Sequence, residues 1–204
     1  MLWLLYHFYF TYTNRFWCKQ PVFHYHYLHY WIRPPKVIWN NEFPLSKYYS
    51  PDITHKYIDD LDDTTKTQLH ELINEHFYRS KDGYYEPTKE SIFEQFNYDD
   101  CVCYNLIGDV ITSCIFSKNL LMNHKGNVHN IQNIDFLCTH TSMRKKGLTQ
   151  KMIYTIAVKN NKLTHNQIYL FKKEYNLQSY VPLTKYPAIC YKLNQKLVTE
   201  TELP

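Results

Sequence analysis

IDFLCTHTSMRKKGLTQKMIYTIAV, residues 134–158, reads as a strand, a bend and the start of a helix. The apolar run ends near Cys138 and helical spacing begins near Leu148. Between them stands Arg144-x-x-Gly147-x-Thr149. The first turn of a helix leaves its N–H groups unpaired and carries the positive end of the macrodipole, so it receives phosphate groups readily. Gly147 lets the backbone come close to a pyrophosphate. Arg144, Lys145 and Lys146 add positive charge, and Thr149 offers a hydroxyl.

Upstream of this stretch, CVCYNLI (101–107) and VITSCIF (110–116) flank Gly108-Asp109, which predicts a hairpin with glycine supplying a positive φ. A third strand is expected over 128–138, separated from the second by a loop around Asn123–Gly126. Leu69, Leu72, Ile73, His76 and Phe77 share one face of a helix over 64–78, with Asp62-Asp63 placed to cap it. Thr88 caps a shorter helix whose apolar side is Ile92, Phe93 and Phe96. Downstream, a helix over 148–160 precedes a strand over 167–171, and an extended segment is expected over 188–193. Helices, three antiparallel strands, a helix and a strand make an α+β arrangement. Residues 14–58 read as irregular, interrupted by Pro34-Pro35, Pro44 and Pro51. The organisation is therefore an aromatic N-terminal arm (1–60) and a single domain (61–204).

At 204 residues, 44% hydrophobic and 21% charged, the chain has the composition of a folded domain. A net charge of +4 without a basic face argues against nucleic acid as a partner, and the cluster at 144–146 suits one polyphosphate better than a duplex. The acidic clusters at 59–63 and 99–100 read as solvated turns or caps. Six cysteines form no CxxC pair, so neither a zinc ribbon nor a redox motif is supported. They read as small hydrophobes in a reducing, cytoplasmic setting. His24 and His26 lack a third ligand at a metal spacing and are expected to be packed or solvent-facing. The apolar start, MLWLLYHFYFTYT, lacks a positive n-region and is too short to span a bilayer. It is read as an arm packed on the domain, with contact to a membrane surface as the second reading.

Arg144-x-x-Gly147-x-Thr149 resembles the R/Q-x-x-G-x-G/A signature of the GNAT acyltransferase superfamily, with threonine in the last position. FLCTH (136–140), followed by MRKKGLTQ, resembles the protein N-myristoyltransferase stretch in which FLCVH precedes LRSKRLAP. RFWCKQPV (15–22) is similar to that family's FWxTQPV, and LHELINEHFYRSKDGYY (69–85) to its LxxLLxxNYVEDDDNxFRF. Leu193-Asn194-Gln195-Lys196-Leu197 is similar to its LNPxKLI. The resemblance covers residues 14–22 and roughly 61–198.

What the resemblance implies is a GNAT-like acyl-CoA N-acyltransferase fold, a mixed central sheet flanked by helices. Its reaction carries a myristoyl group from myristoyl-CoA, a substrate, to the N-terminal glycine of a peptide or protein, with no tightly bound cofactor and no metal. Phe136 and Leu137 match the positions whose backbone amides form the oxyanion hole of a bulged strand. Arg144, Lys145, Lys146, Gly147, Leu148 and Thr149 match the loop that grips the CoA phosphates. Arg15, Phe16 and Trp17 match the segment that covers the CoA. Asp82 is what remains of an acidic run that reads the acceptor peptide, here Tyr78-Arg79-Ser80-Lys81-Asp82. The family has two GNAT-like halves and takes its base from a terminal carboxylate, whereas this chain corresponds to the first half and ends at Pro204. Its YTAG strand end is here Tyr169-Leu170-Phe171-Lys172, without the threonine near the reacting amine. The donor side of the pattern is thus fuller than the acceptor side. Plainer readings stand beside these: Phe136 and Leu137 as core residues, Cys138 as packing, His140 as a cap. At the level of function the alternatives are an N-acetyltransferase of the same superfamily and a non-catalytic acyl-CoA-binding module.

Overall fold

A computed structural model describes residues 2–13, 15–20, 24, 26–33, 43, 46–77, 79–80, 83–164 and 168–171. Its strands are Thr54–Tyr57 (β1), Arg79–Ser80 (β2), Gly83–Tyr84 (β3), Cys101–Ile107 (β4), Val110–His124 (β5), Asn127–Thr139 (β6) and Tyr169–Phe171 (β7). Its helices are Leu2–Thr13 (α1), Leu28–Ile32 (α2), Asp63–His76 (α3), Lys89–Phe93 (α4) and Leu148–Thr164 (α5). The chain divides into two compact units, one of Trp39–Leu177 and one of Met1–Ile38 with Gln178–Pro204. The expected extended segment at 188–193 lies outside the described residues.

In the larger unit, five strands form a mixed sheet in the order β1-β4-β5-β6-β7. The pairs β1–β4, β4–β5 and β5–β6 are antiparallel, and β7 runs parallel to β6. A parallel neighbour needs a crossover, and α5 supplies it. The β4–β5 hairpin turns on Gly108 at φ +59°, as its sequence predicts. The expected loop at 123–126 is instead a tight turn. His124 pairs with Asn127, and Lys125 (φ +51°) and Gly126 (φ +83°) are both left-handed, the conformation that lets long twisted strands meet over two residues. Asn123 Oδ1 accepts from Gly126 N–H at 3.1 Å and fixes that turn. β2 and β3 form a separate two-stranded ribbon.

Helices cover both faces of the sheet. On one, Leu69, Leu72 and Ile73 of α3 and Ile92 of α4 pack with Val102, Tyr104, Cys114, Phe116, Phe136 and Cys138. On the other, Met152 and Ile156 of α5 pack with Ile53, Cys101, Cys103, Ile115 and Ile134. Both covering helices on the first face are capped as their sequences anticipate: Asp62 accepts from Thr65 N–H, and Thr88 from Ser91 N–H. Leu69 and Ile73 are fully buried, and burial of such a side chain contributes roughly 1.5–3 kcal/mol. α5 also carries a polar pin. Asn160 Nδ2 donates to Ser117 Oγ (2.9 Å) and Gln132 Oε1 (3.1 Å), and its Oδ1 accepts from Cys101 Sγ (3.1 Å). This network is satisfied, so its burial fixes the register of α5 without an orphaned group.

In the other unit, α1 has Phe10 buried while Leu2, Leu5, Phe8, Tyr9 and Tyr12 are exposed. His26 is buried against the Phe10 ring, 4.4 Å between centroids. His24 is buried too, and its Nε2 lies 2.9 Å from the Gln20 carbonyl oxygen, so both histidines are packed. No helix among the described residues is long and apolar enough to cross a membrane.

Candidate functional site

The register of β5 against β6 breaks once. Cys114 pairs with Cys138 and Phe116 with Asp135, so Phe136 and Leu137 together oppose Ile115. Two residues facing one is a β-bulge, and Phe136 takes the left-handed conformation (φ +43°) needed to fit the extra residue. The bulge reverses the alternation of the strand. Ile134 faces α5, yet Phe136 and Cys138 belong to the α3 face and Leu137 packs toward α5. Asp135, opposite Phe116, shares the α3 face with Phe136. The Phe136 N–H leaves the regular ladder and donates to Asp135 Oδ1 at 2.8 Å. Its side chain is core, ringed by Phe77, Tyr85, Phe96 and Phe116 at 5.4–6.2 Å between centroids. The Phe136 ring is therefore core, as the plainer reading expects, while its backbone N–H is turned out of the ladder.

Beyond the bulge, a single 3-10 turn (Thr141–Met143) leads to the basic loop. His140 caps it, its Nδ1 accepting from Ser142 N–H at 3.2 Å, and its ring meets that of His76 at 4.2 Å. Lys145 (φ +61°) and Gly147 (φ +77°) are left-handed, while Arg144 between the turn and Lys145 has φ −65°. Arg144 is extended (ψ 156°), so the chain turns sharply at Lys145 and again at Gly147. The loop then enters α5, where Lys151 N–H donates to the Gly147 carbonyl. Arg144, Lys145, Lys146, Gly147 and Thr149 are exposed, and Leu148 is half-buried against the α5-face core.

Arg144 has work within the fold. Its Nη2 donates to the His76 carbonyl at 2.7 Å and its Nε to the Thr139 carbonyl at 3.2 Å. It thus ties the loop to the C-terminal end of α3, where unpaired carbonyls and the negative end of the dipole suit a cation. Cys138 is buried, and its thiol is pushed up to about 12 by burial, against which the Arg144 charge acts only partly. It is a packed thiol at neutral pH.

Arg15, Phe16 and Trp17 lie in the other unit. Arg15 sits over the Tyr12 ring (4.9 Å), and Phe16 is buried with its ring edge-on to Trp17 (4.9 Å). Asp82 lies outside the described residues. Among the described residues no group of three or more His, Cys, Asp or Glu side chains is arranged to hold a metal ion.

No family model and no curated protein sequence matches the chain. Solved structures do. Saccharomyces cerevisiae N-myristoyltransferase with bound myristoyl-CoA aligns over 78% of this chain and 40% of its own, at 19% identity and a TM-score of 0.55. An aminoglycoside acetyltransferase from an uncultured soil metagenomic sample aligns over 70% of this chain and 94% of its own, at 16% identity and a TM-score of 0.51. A transcriptional regulator from Bacillus halodurans aligns over 68% and 99%, at 10% identity and a TM-score of 0.52.

The fold is the GNAT-like acyltransferase fold.

The chain spans 40% of the length of the yeast protein it matches. Within its GNAT-like sheet, the bulge and the basic loop are the two irregular features of β6 and its exit, and seven residues separate Phe136 from Arg144 in sequence. Two neighbours of the bulge escape a reading of the sequence. Asp135 is the only acidic residue of β6, which is the signal that could have found it. Tyr85 stacks on Phe136 (6.1 Å, 28°) from a segment without periodicity, and nothing in the sequence marks it.

Proposed function

We propose that this chain is an acyl-CoA-dependent N-acyltransferase whose donor is a long-chain, myristoyl-type thioester and whose acceptor is an N-terminal glycine amine. The observation that carries the reading is the Phe136–Leu137 bulge, whose displaced Phe136 N–H already holds an oxygen at 2.8 Å. A donor that meets oxygen there in the resting protein is placed to meet the developing oxyanion of a thioester under attack. Leu137, the second residue of the bulge, supplies the other amide. Lys145, Lys146, the N–H groups that follow Gly147, and the Thr149 hydroxyl take the phosphates of CoA. Arg144 holds the loop in shape and adds its charge. The choice of a myristoyl chain rests on FLCTH and FWCKQPV, the two stretches that resemble N-myristoyltransferases.

A second reading, transfer of a short acyl group such as acetyl, is favoured by the aromatic rings that pack around Phe136 on the α3 face. Calorimetry separates the two. Myristoyl-CoA, acetyl-CoA and CoA are titrated into the wild type and into Lys145→Asn with Lys146→Ala, asparagine being tolerant of a left-handed backbone. The variant is expected to bind every ligand about tenfold more weakly, near the worth of one charge-assisted hydrogen bond. Undiminished binding by the variant removes the phosphate assignment. Equal affinity for the two thioesters favours the short donor.

A further inference from the structure

Helix α1 buries one side chain, Phe10, and turns another face to solvent. Leu2, Leu5, Tyr9 and Tyr12 recur at helical spacing on that face, with Phe8 beside them, and each is 60–82% exposed. No lysine, arginine or acidic residue interrupts the helix. Its two threonine hydroxyls are satisfied within it: Thr13 Oγ1 donates to the Tyr9 carbonyl at 2.8 Å, and Thr11 Oγ1 donates to the His7 carbonyl. A helix that satisfies its own polar side chains and presents large apolar ones suits a medium poorer in water than bulk solvent. Scattered exposed apolar residues need no partner, whereas neighbours on one helical face form a patch that does. In the same unit, α2 exposes Leu28 and Ile32 one turn apart.

Charge decides what covers this patch. Residues 1–38 hold Arg15, Lys19, Arg33 and Lys36 and no aspartate or glutamate. The rest of the chain therefore keeps 19 of the 23 Lys and Arg against all 19 Asp and Glu, and the whole net charge of +4 falls in this one segment. Arg15, Lys19 and Arg33 are exposed, and Arg15 stands over the Tyr12 ring at the end of the apolar face, 4.9 Å from its centroid. A second copy of the chain would bring like charges together. An anionic bilayer complements both features, with hydrocarbon for the face and phosphate groups for the cations. The 12 residues of α1 rise about 18 Å, well short of the roughly 30 Å of a hydrocarbon core. Such a helix lies in the interface, the zone that tyrosine and tryptophan rings favour. We propose that α1 docks this chain on an anionic lipid surface, with its Leu2–Tyr12 face among the acyl chains and Arg15 among the headgroup phosphates. The inference is independent of the acyltransferase reading.

The test adds the full chain to vesicles of phosphatidylcholine alone or with about 30% phosphatidylserine, and reads binding by sedimentation and by tryptophan emission. The emission is local to residues 1–39, because the four tryptophans are Trp3, Trp17, Trp31 and Trp39. The wild type is expected to bind the anionic vesicles with a blue shift. Binding is expected to weaken about tenfold without phosphatidylserine, and to weaken likewise in about 0.5 M salt. Leu5→Ser with Phe8→Ser, both at exposed positions, is expected to lower partition by about tenfold or more. Leu121→Ser with Val128→Ser removes an exposed apolar pair from the β5–β6 hairpin and is expected to leave partition unchanged. Wild-type binding by the Leu5 and Phe8 variant overturns the proposal, and so does a wild type that binds neither vesicle. Equal binding to both vesicles overturns it too, since the charge then has no part. A wild type that elutes as a dimer without lipid, while the Leu5 and Phe8 variant elutes as a monomer, gives the face to a second copy and overturns it as well.

Discussion

Gly147, at φ +77°, has no atom nearer its missing Cβ than Gln150 Oε1 at 3.8 Å, so the position demands a backbone rotation and not space. An alanine there meets the left-handed penalty without a clash. Gly147→Ala is expected to cost about 1 kcal/mol, measured as a shift in the urea midpoint, with Gly147→Asn costing less. The glycine was legible in the sequence because glycine between a basic run and a helix has few other reasons to be there. Phe136 was legible through its resemblance to a bulged strand, although an apolar strand residue carries no mark of a positive φ. Asp135 was not. Its meaning depends on a hydrogen bond to the next residue, and that bond exists because the bulge rotates the Phe136 peptide out of the ladder.

At the scale of elements, the loop before α5 is a brace. Arg144 joins the last turn of α3 to the end of β6 through two backbone carbonyls. Arg144→Ala is expected to lower stability by about 1 kcal/mol, reduced from the full value of a charged hydrogen bond because the side chain is exposed. The loop should also become the first site cut in limited proteolysis, and uncut loops at wild-type rates would contradict the brace. The long elements were readable from periodicity: α3 from its apolar stripe and flanking cap, the β4–β5 hairpin from Gly108 between two apolar runs. β1 was not, because Thr54-His55-Lys56-Tyr57 is a short polar strand that, among the described residues, pairs with β4 alone. α1 was missed for the opposite reason. It is apolar on nearly every side, and a helix without a polar face shows no helical period.

For the whole chain, histidine burial sets the response to acid. His55, His24 and His26 are each lowered by burial, His26 from 6.5 to about 4. A histidine lowered in the folded state stabilises the fold while it is neutral. Its contribution is complete above 6.5 and is lost as pH falls through the folded value. Asp100 acts in the other sense, since burial raises it and its contribution is lost as pH rises through the carboxylate range. The urea midpoint is therefore expected to hold steady from pH 8 to 7 and to fall below 6.5, less steeply in His55→Gln; a flat profile would contradict this. The β6 bulge also acts on the whole sheet, and its effect resembles that of an inserted base on a reading frame. Upstream of it, Ile134 faces α5; downstream, Cys138 faces α3, although four residues apart they would otherwise share a side. Flattening the bulge while keeping the extra residue would leave the strand's composition intact and put every side chain beyond it on the wrong page of the fold.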